Sequence, residues 1–253
     1  MIVPMSILFE ACCSSLDDAI IAEHAGARRV ELCSCLFFGG LTPSIGAVIE
    51  AKKRLQIPVI VMIRPRGGGF HYTEAEFAQM LEDARLAVDH GADGLVFGCL
   101  TDDGQIDRHR THALVEACRG KDAVFHRAFD VTPDPELALE ILIEIGVTRL
   151  LTSGQEPQAL LGADLIKRLI DQAGDRIEIM PGGGIHPKHV APMIEQTGCR
   201  QIHLASWTQA FDHSTAHRPE VTFGGALYPP ENAYDIADEG ILRGMAETVQ
   251  RMG

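Results

Sequence analysis

The stretch AVFHRAFD, residues 123–130, contains the pattern that decides the fold. A short apolar run, Ala123–Phe125, is followed at once by residues that can do chemistry, His126, Arg127 and Asp130. Short unbroken apolar runs are typical of parallel strands that are buried on both faces. The carboxyl ends of such strands are where α/β proteins collect their functional side chains.

The same pattern recurs along the chain, with helical patterns between the repeats. The predicted strands are Ile7–Cys12, Arg29–Cys33, Val59–Ile63, Gly94–Phe97, Ala123–His126, Arg149–Thr152, Ile177–Met180 and Gln201–Leu204. The predicted helices are Leu16–Ala25, Ser44–Leu55, Glu74–His90, Arg108–Cys118, Asp134–Ile145, Pro157–Gln172, Pro187–Thr197 and Tyr234–Arg251, with Ser15, Thr42 and Thr73 as N-caps. This alternation predicts an α/β protein with the fold of a (β/α)8 TIM barrel. The 253 residues contain no linker, so we expect one domain over residues 1–253.

A weak internal repeat supports eight strands. Before the second, fourth, sixth and eighth strands, a glycine ends the helix and a polar turn follows; these glycines are Gly26, Gly91, Gly146 and Gly198. An open doubly wound sheet is the alternative. That fold usually carries a glycine-rich ligand loop after its first strand, where this chain has Cys12-Cys13-Ser14-Ser15.

Composition excludes several classes of function. The net charge of −13 disfavours binding to nucleic acid. No apolar stretch is long enough for a membrane span, and residues 1–6 lack the features of a signal peptide. The seven cysteines do not follow a secreted disulfide framework, which favours reduced thiols in the cytoplasm. The long segment 207–233, with Gly224-Gly225 and Pro229-Pro230, is predicted to be a lid or a contact loop.

The sharpest local signal is a doublet of acidic and sulfur residues. Glu10 and Cys12 share one face of the first strand, and Glu31 and Cys33 share one face of the second. Soft thiolates suit Cu(I), so Cys12 and Cys33 are candidate metal ligands, with Cys13 and Cys35 close enough in sequence to assist. Alternatively, these cysteines are ordinary core residues, because free cysteine is among the most buried residue types.

The other strand ends suggest acid–base groups and an anion site. Glu10, Glu31 and His126 are candidate catalytic groups, with Asp130 expected to orient His126. Arginine side chains and glycine-rich backbone bind carboxylates and phosphates. The candidate substrate-binding residues are Arg64, Arg66, Arg127, Thr152, Ser153, Gly182, Gly183 and His203. A lone histidine such as His203 is more often a core residue. No lysine closes a strand, so Schiff-base chemistry has no nucleophile.

The motifs in this order resemble the CutC copper homeostasis protein family. They are Glu31–Cys33, Gly39–Ser44, Met62–Gly68, Phe125–Asp130, Leu151–Gly154 and Met180–Gly184. The resemblance covers nearly the whole chain, although Gly69 stands where the family often has Asp. It implies a TIM barrel, a cytoplasmic location, a homo-oligomer (dimer or tetramer) and a role in copper binding. The implied Cu(I) ligands are Cys12 and Cys33, with His126 as a further candidate.

Three hypotheses for function follow. The first is a cytoplasmic copper-binding protein of homeostasis. The second is an enzyme that acts on a small anionic substrate, with Glu10 or Glu31 and His126 moving protons and the arginines holding the anion. The third is an oligomeric scaffold that uses segment 207–233 as its contact surface.

Overall fold

Eight parallel strands form the centre of the computed structural model, which describes residues 7–223 and 231–253. Residues 1–6 and the pairs Gly224-Gly225 and Pro229-Pro230 lie outside the described residues. The strands are β1 (Leu8–Cys13), β2 (Arg29–Leu32), β3 (Val59–Met62), β4 (Gly94–Phe97), β5 (Asp122–Phe125), β6 (Arg149–Thr152), β7 (Glu178–Pro181) and β8 (Gln201–Leu204). The helices are α1 (Leu16–His24), α2 (Ile45–Arg54), α3 (Glu74–Asp89), α4 (Arg108–Ala117), α5 (Pro135–Ile145), α6 (Ala163–Ala173), α7 (Val190–Thr197) and α8 (Glu239–Met252).

The sheet closes into a barrel, as predicted. Its strands run in the order β7, β6, β5, β4, β3, β2, β1, β8, and a parallel bridge between Gly182 and His203 joins the two ends. The registers of β1 place Glu10 opposite His203 on one side and Cys12 opposite Glu31 on the other. The acidic and sulfur side chains of the first two strands are therefore neighbours inside the barrel.

Side chains alternate between the two faces of each strand, so the buried apolar residues form two separate cores. Odd positions of β3, such as Val59 and Val61, pack outward against the helices, where most of the apolar side chains lie. Even positions, such as Ile60 and Met62, point into the barrel with Cys33, Val96 and Val124. The barrel interior is apolar on the β3–β5 side, whereas buried charged and polar groups of β1, β2, β6 and β8 fill the other side.

Local signals set most helix ends. All four glycines of the internal repeat have positive φ, as the predicted left-handed turns require. Ser15 accepts a hydrogen bond from Asp18 N, and Thr73 forms a capping box with Glu76. The predicted cap at Thr42 is wrong. Ser44 caps α2 instead, and the Thr42 hydroxyl exchanges hydrogen bonds with the backbone of Arg64.

Two segments differ from the sequence-based prediction. Residues Trp207–Phe211 (β9) and Ala233–Ala237 (β10) form an antiparallel hairpin, so the predicted last helix begins at Glu239 rather than Tyr234. Ala237 is buried whereas Tyr234 and Asp235 are exposed, and the chain at Ala237 is fixed where its N–H donates to Asp18. Helix α6 begins at Ala163 rather than Pro157, because residues 155–162 form a loop that packs Gly162 against Gly154.

Among the described residues, none of the helices has both the length and the apolar character that crossing a bilayer would need.

Candidate functional site

A cavity of about 310 Å³ opens at the carboxyl ends of the strands. Glu31, Arg64 and His126, which are far apart in sequence, all line it. Of the other predicted site residues, Cys12, Arg127, Gly183 and His203 also line the cavity. The wall is completed by Leu36, Gly39, Met62, Phe70, Ala128, Leu151, Gly184, Ile185, His186, Ala205 and Trp207. The barrel mouth is therefore largely apolar, with a few charged and sulfur groups set into it.

Glu10 lies beneath the cavity and anchors a buried ionic network. Its carboxylate pairs with the Arg29 guanidinium and accepts a hydrogen bond from His203 Nδ1 at 2.8 Å. Burial opposes ionisation of Glu10, but the charges of Arg29 and His203 outweigh it and hold the pKa of Glu10 well below its usual range. Arg29 also donates to Gln201 Oε1 at 2.6 Å. Glu10 is thus a permanently charged group that fixes its neighbours.

His203 bridges the two buried glutamates. Its Nδ1 faces Glu10, and its Nε2 lies 3.9 Å from Glu31 Oε2. Burial alone would lower the pKa of His203, but Glu31, Cys12 and Glu10 raise it well above the usual value. The contact with Glu10 fixes the orientation of the ring, as carboxylates do for metal-binding histidines. The second ring nitrogen is left facing the sulfur and carboxylate groups.

Two thiols and a carboxylate meet beside His203. Donor atoms of Cys12, Cys33 and Glu31 all lie within 4.8 Å of one another, and Cys12 Sγ is 3.7 Å from Glu31 Oε2. The neighbouring Cys33 thiol and burial raise the pKa of Cys12 well above its usual value. Burial likewise raises the pKa of Glu31. Both groups have donor atoms within reach of one ion.

A second group of donors shares Glu31 with the first. Atoms of Glu10, Glu31 and His203 also lie within 4.8 Å of one another. Neither of these groups includes His126, Cys13 or Cys35. The expectation that Cys13 and Cys35 assist is wrong, because Cys13 points outward into the helix-side core and Cys35 is exposed. Thiols and imidazole are the ligands that copper(I) and zinc prefer, so the donor set fits a soft metal ion.

Arg64 and His126, which follow β3 and β5, line the same cavity. Arg64 Nη1 donates to the carbonyls of Phe38 (2.8 Å) and Gly40 (3.2 Å), and Nη2 donates to Gly68 O at 2.8 Å. His126 Nδ1 accepts a hydrogen bond from Ala128 N at 3.1 Å. Burial and the charge of Arg64 lower the pKa of His126 to about 3. His126 is therefore neutral at physiological pH.

Asp130 does not orient His126, contrary to expectation. Residues Arg127–Val131 form a short 3-10 helix, which turns the Asp130 carboxylate toward β6. There it accepts hydrogen bonds from the hydroxyls of Thr152 and Ser153, from Ser153 N and from Arg127 Nε at 2.8 Å. Asp130 thus holds the loop after β6, and Thr152 and Ser153 are its partners.

The remaining predicted residues are spread around the rim. Arg66 lies outside the cavity lining and pairs with Glu76 at 2.6 Å. Gly182 also lies outside the lining; a Cβ at this position would lie 2.6 Å from Leu151 Cδ1. At Gly183 a Cβ would come within 2.9 Å of the Arg127 guanidinium. Close packing therefore accounts for both glycines.

Three residues of the candidate site were not predicted from the sequence. Arg29 lies two residues before Glu31 on the same strand face, so the period of two could have found it. Phe70 and Trp207 enter the cavity wall from loop and hairpin positions that carry no periodic signal.

Comparison with known proteins identifies the family. The model of the CutC family matches residues 7–208. A CutC family protein of Treponema denticola is 51% identical over 92% of this chain and 94% of its own length. A copper homeostasis protein cutC homolog of Mus musculus is 46% identical over 91% of this chain and 85% of its own. A crystal structure from Streptococcus agalactiae, provisionally described as the copper homeostasis protein CutC, superposes with a TM-score of 0.75 at 40% identity, over 78% of this chain and 97% of that one. The chain belongs to the CutC family.

Proposed function

We propose that this protein takes part in copper homeostasis by binding Cu(I) at Cys12 and Cys33, with His203 Nε2 as a third donor. One observation carries the proposal: the thiol of Cys12 in the cavity wall lies beside the buried thiol of Cys33, next to a histidine that a buried carboxylate orients. The copper homeostasis names of the relatives support copper as the metal.

The chemistry of the donors favours Cu(I) over harder ions. Thiolate and imidazole are soft ligands, whereas Mg²⁺ and Ca²⁺ require sets of oxygen donors. Glu10 acts on the ion only through His203, by holding the ring so that Nε2 is directed toward Glu31, the neighbour of Cys12. Glu31 is a neighbouring base that can accept the proton which Cys12 gives up.

Binding should depend on pH because Cys12 is a thiol at neutral pH. A thiol must lose its proton to ligate a metal, and the pKa of Cys12 is raised. His203 must also lose a proton to ligate, because the pKa of its ring is raised. We expect the affinity for Cu(I) to fall by about tenfold per pH unit as the pH is lowered, for each proton released by a thiol or by His203. Titration between pH 6 and pH 8 against a Cu(I)-specific chromophoric chelator measures this slope.

The test is a Cu(I) competition titration of three variants under anaerobic conditions. The double variant Cys12→Ser/Cys33→Ser should lose the site, whereas Cys35→Ser, whose thiol is exposed, should bind as the wild type does. His203→Ala should weaken binding without abolishing it. Unchanged affinity and stoichiometry in the double variant would exclude this site.

We also propose, from the family resemblance, that the protein acts in the cytoplasm as a dimer or tetramer. The exposed side chains of Phe37, Phe38 and Val131 near the barrel mouth offer apolar surface for self-association. Light scattering after size exclusion measures the mass in solution, and a monomer at micromolar concentration would contradict the oligomer.

A further inference from the structure

Arg64 is a buried cation without a counter-ion. Its side chain is 6% exposed, and all the acceptors of its guanidinium are backbone carbonyls. In the described part of the chain no carboxylate lies within 4.0 Å of it, and its Nε–H has no hydrogen-bond partner. Buried charges are normally paired, so an unpaired guanidinium at a cavity wall indicates a missing anion.

The other charges around the cavity are already balanced. Arg29 and His203 face Glu10 and Glu31, and Arg127 pairs with Asp130. The nearby Tyr72 hydroxyl is buried and provides no negative charge, since burial raises the pKa of Tyr72 to about 12. One positive charge therefore remains, which a single negative charge would neutralise.

His126 provides a second unpaired donor on the same wall. Because its Nδ1 accepts a hydrogen bond from Ala128 N, the proton of the neutral ring is on Nε2. That nitrogen is buried and has no partner among the described residues. Buried polar atoms of this kind are rare and require an explanation.

Phe70 packs against both Arg64 and His126, and the charge of Arg64 acts on the His126 ring. The Arg64 guanidinium lies 5.1 Å from the centre of the Phe70 ring, and the His126 ring centre lies 5.1 Å from the same point. Next to them the wall is apolar, with Leu36, Met62, Leu151 and Ile185. The cavity thus has one positively charged group, Arg64, next to an apolar wall.

We propose that the cavity binds a small organic acid with one carboxylate and an apolar body. Arg64 Nε and His126 Nε2 are covered by neighbouring protein atoms, so a small rotation of the two side chains lets the carboxylate accept their hydrogen bonds, while the body lies against Phe70 and Met62. A carboxylate matches the single free charge better than a phosphate, which carries close to two charges at neutral pH. The proposed acid site and the thiol pair have no residue in common, and the proposal does not depend on copper.

A purely structural role accounts for only some of the hydrogen-bond donors of Arg64. Its Nη atoms join the loop after β2 to the loop after β3 through Phe38, Gly40 and Gly68. That role leaves the Nε–H and the His126 Nε2–H unused. Two unused donors at one wall are explained together by one ligand with two acceptor oxygens.

The test is a calorimetric titration of the copper-free protein with three acids of graded shape: benzoate, phenylacetate and hexanoate. Each is compared with its amide, which has nearly the same shape without the charge. Because hydrogen bonds to charged groups are worth more than neutral ones, we expect at least one acid to bind about tenfold more tightly than its amide. In NMR spectra of the complex, the Nε2 proton of His126 should move downfield.

Variants then assign the donors. His126→Asn keeps an acceptor for Ala128 N but removes the Nε2 donor, and Arg64→Lys keeps the charge but removes Nε. Both should reduce the preference for the acid to about twofold or less. Arg66→Gln is the matched control, since Arg66 is in the same loop but outside the cavity, and it should bind as the wild type does. Circular dichroism confirms that each variant is folded.

Three results would overturn the proposal. These are equal binding of acid and amide for all three pairs, an unchanged preference in His126→Asn, and displacement of the acids by inorganic phosphate at lower concentration than the acids themselves. Repeating the titration with Cys12→Ser/Cys33→Ser separates this proposal from the copper site. The acid should still bind there even if copper does not.

Discussion

His126 makes the folded protein sensitive to acid at the scale of a single residue. Its pKa is about 3 in the folded state against an ordinary value of 6.5. Below pH 6.5 the unfolded chain takes up a proton at this residue and the folded chain does not, so stability is lost as the pH falls from 6.5 toward 3. The loss approaches about 1.4 kcal/mol per pH unit.

We therefore expect the unfolding free energy of His126→Asn to fall less between pH 7 and pH 5 than that of the wild type does. Urea denaturation of both proteins at pH 7 and pH 5 measures the difference. Parallel losses of unfolding free energy in the two proteins would mean that His126 does not cause the acid sensitivity.

Gly98 is the residue that leaves room for the His126 ring. A Cβ at Gly98 would lie 2.4 Å from His126 Cε1. Gly98→Ala should cost about 1–3 kcal/mol of unfolding free energy, because the ring must move within a closely packed wall. Gly244→Ala is the control: nothing lies within 4 Å of its Cβ, and it is inside α8. That change should stabilise the protein by about 0.5–1 kcal/mol, and equal effects of the two changes would contradict this explanation.

The sequence predicted which residues lie at the barrel mouth better than it predicted the specific contact that each of them makes. Strand periodicity and the expected neighbourhood of the first two strands correctly brought the acidic and sulfur side chains together, but the register that sets Cys12 opposite Glu31 was not predicted. The contact of Asp130 with Thr152 and Ser153 depends on the 3-10 helix that follows β5. No periodic pattern in the sequence predicts that helix.

At the scale of elements, the Glu10–Arg29 pair joins β1 to β2 inside the barrel. Both side chains are nearly inaccessible to solvent. Glu10→Gln would leave Arg29 buried without its counter-ion, which should cost about 3–5 kcal/mol of unfolding free energy. Glu50→Gln, at an exposed helix position that pairs with Lys53 and Arg54, is the control and should change little. Urea denaturation at pH 7 compares them, and a small loss in Glu10→Gln would mean that Gln201 and solvent compensate for the charge.

Asp18 anchors the β9–β10 hairpin to α1. Its carboxylate accepts hydrogen bonds from Ala237 N at 2.8 Å and from the backbone and hydroxyl of Ser14 at 2.9 Å. Asp18→Ala leaves the buried Ala237 N–H and the partly buried Ser14 donors without this acceptor and should cost about 1–3 kcal/mol. Hydrogen exchange should become faster in residues 233–237 before it does in β1. Unchanged exchange there would show that the hairpin is anchored elsewhere.

Helix ends and buried strands were predictable because their signals are local. Gly146 and Gly198 mark helix ends because they adopt a positive φ, which other residue types rarely adopt. The hairpin was missed because its strands are largely exposed, so they lack the apolar run by which the other strands were found. Its pairing is a long-range property that brings Trp207 to Ala237.

At the scale of the whole molecule, closure of the barrel could be expected from the count of strands, but the division of its interior could not. The apolar half around Val96 and Val124 and the ionic half around Glu10 and His203 arise from contacts between strands distant in sequence. A soft-metal donor set and an unpaired cation thus lie at the mouth of one barrel. Two ligands of different chemistry can thus be tested on the same barrel.

Trp207 has a practical consequence. It is the one tryptophan of the chain, and it lies in the cavity wall at 39% exposure. Its fluorescence therefore comes from the barrel mouth alone, free of background from other indoles. Emission intensity and wavelength should report in real time whether an added compound has entered, so a compound library can be screened on the unlabelled protein.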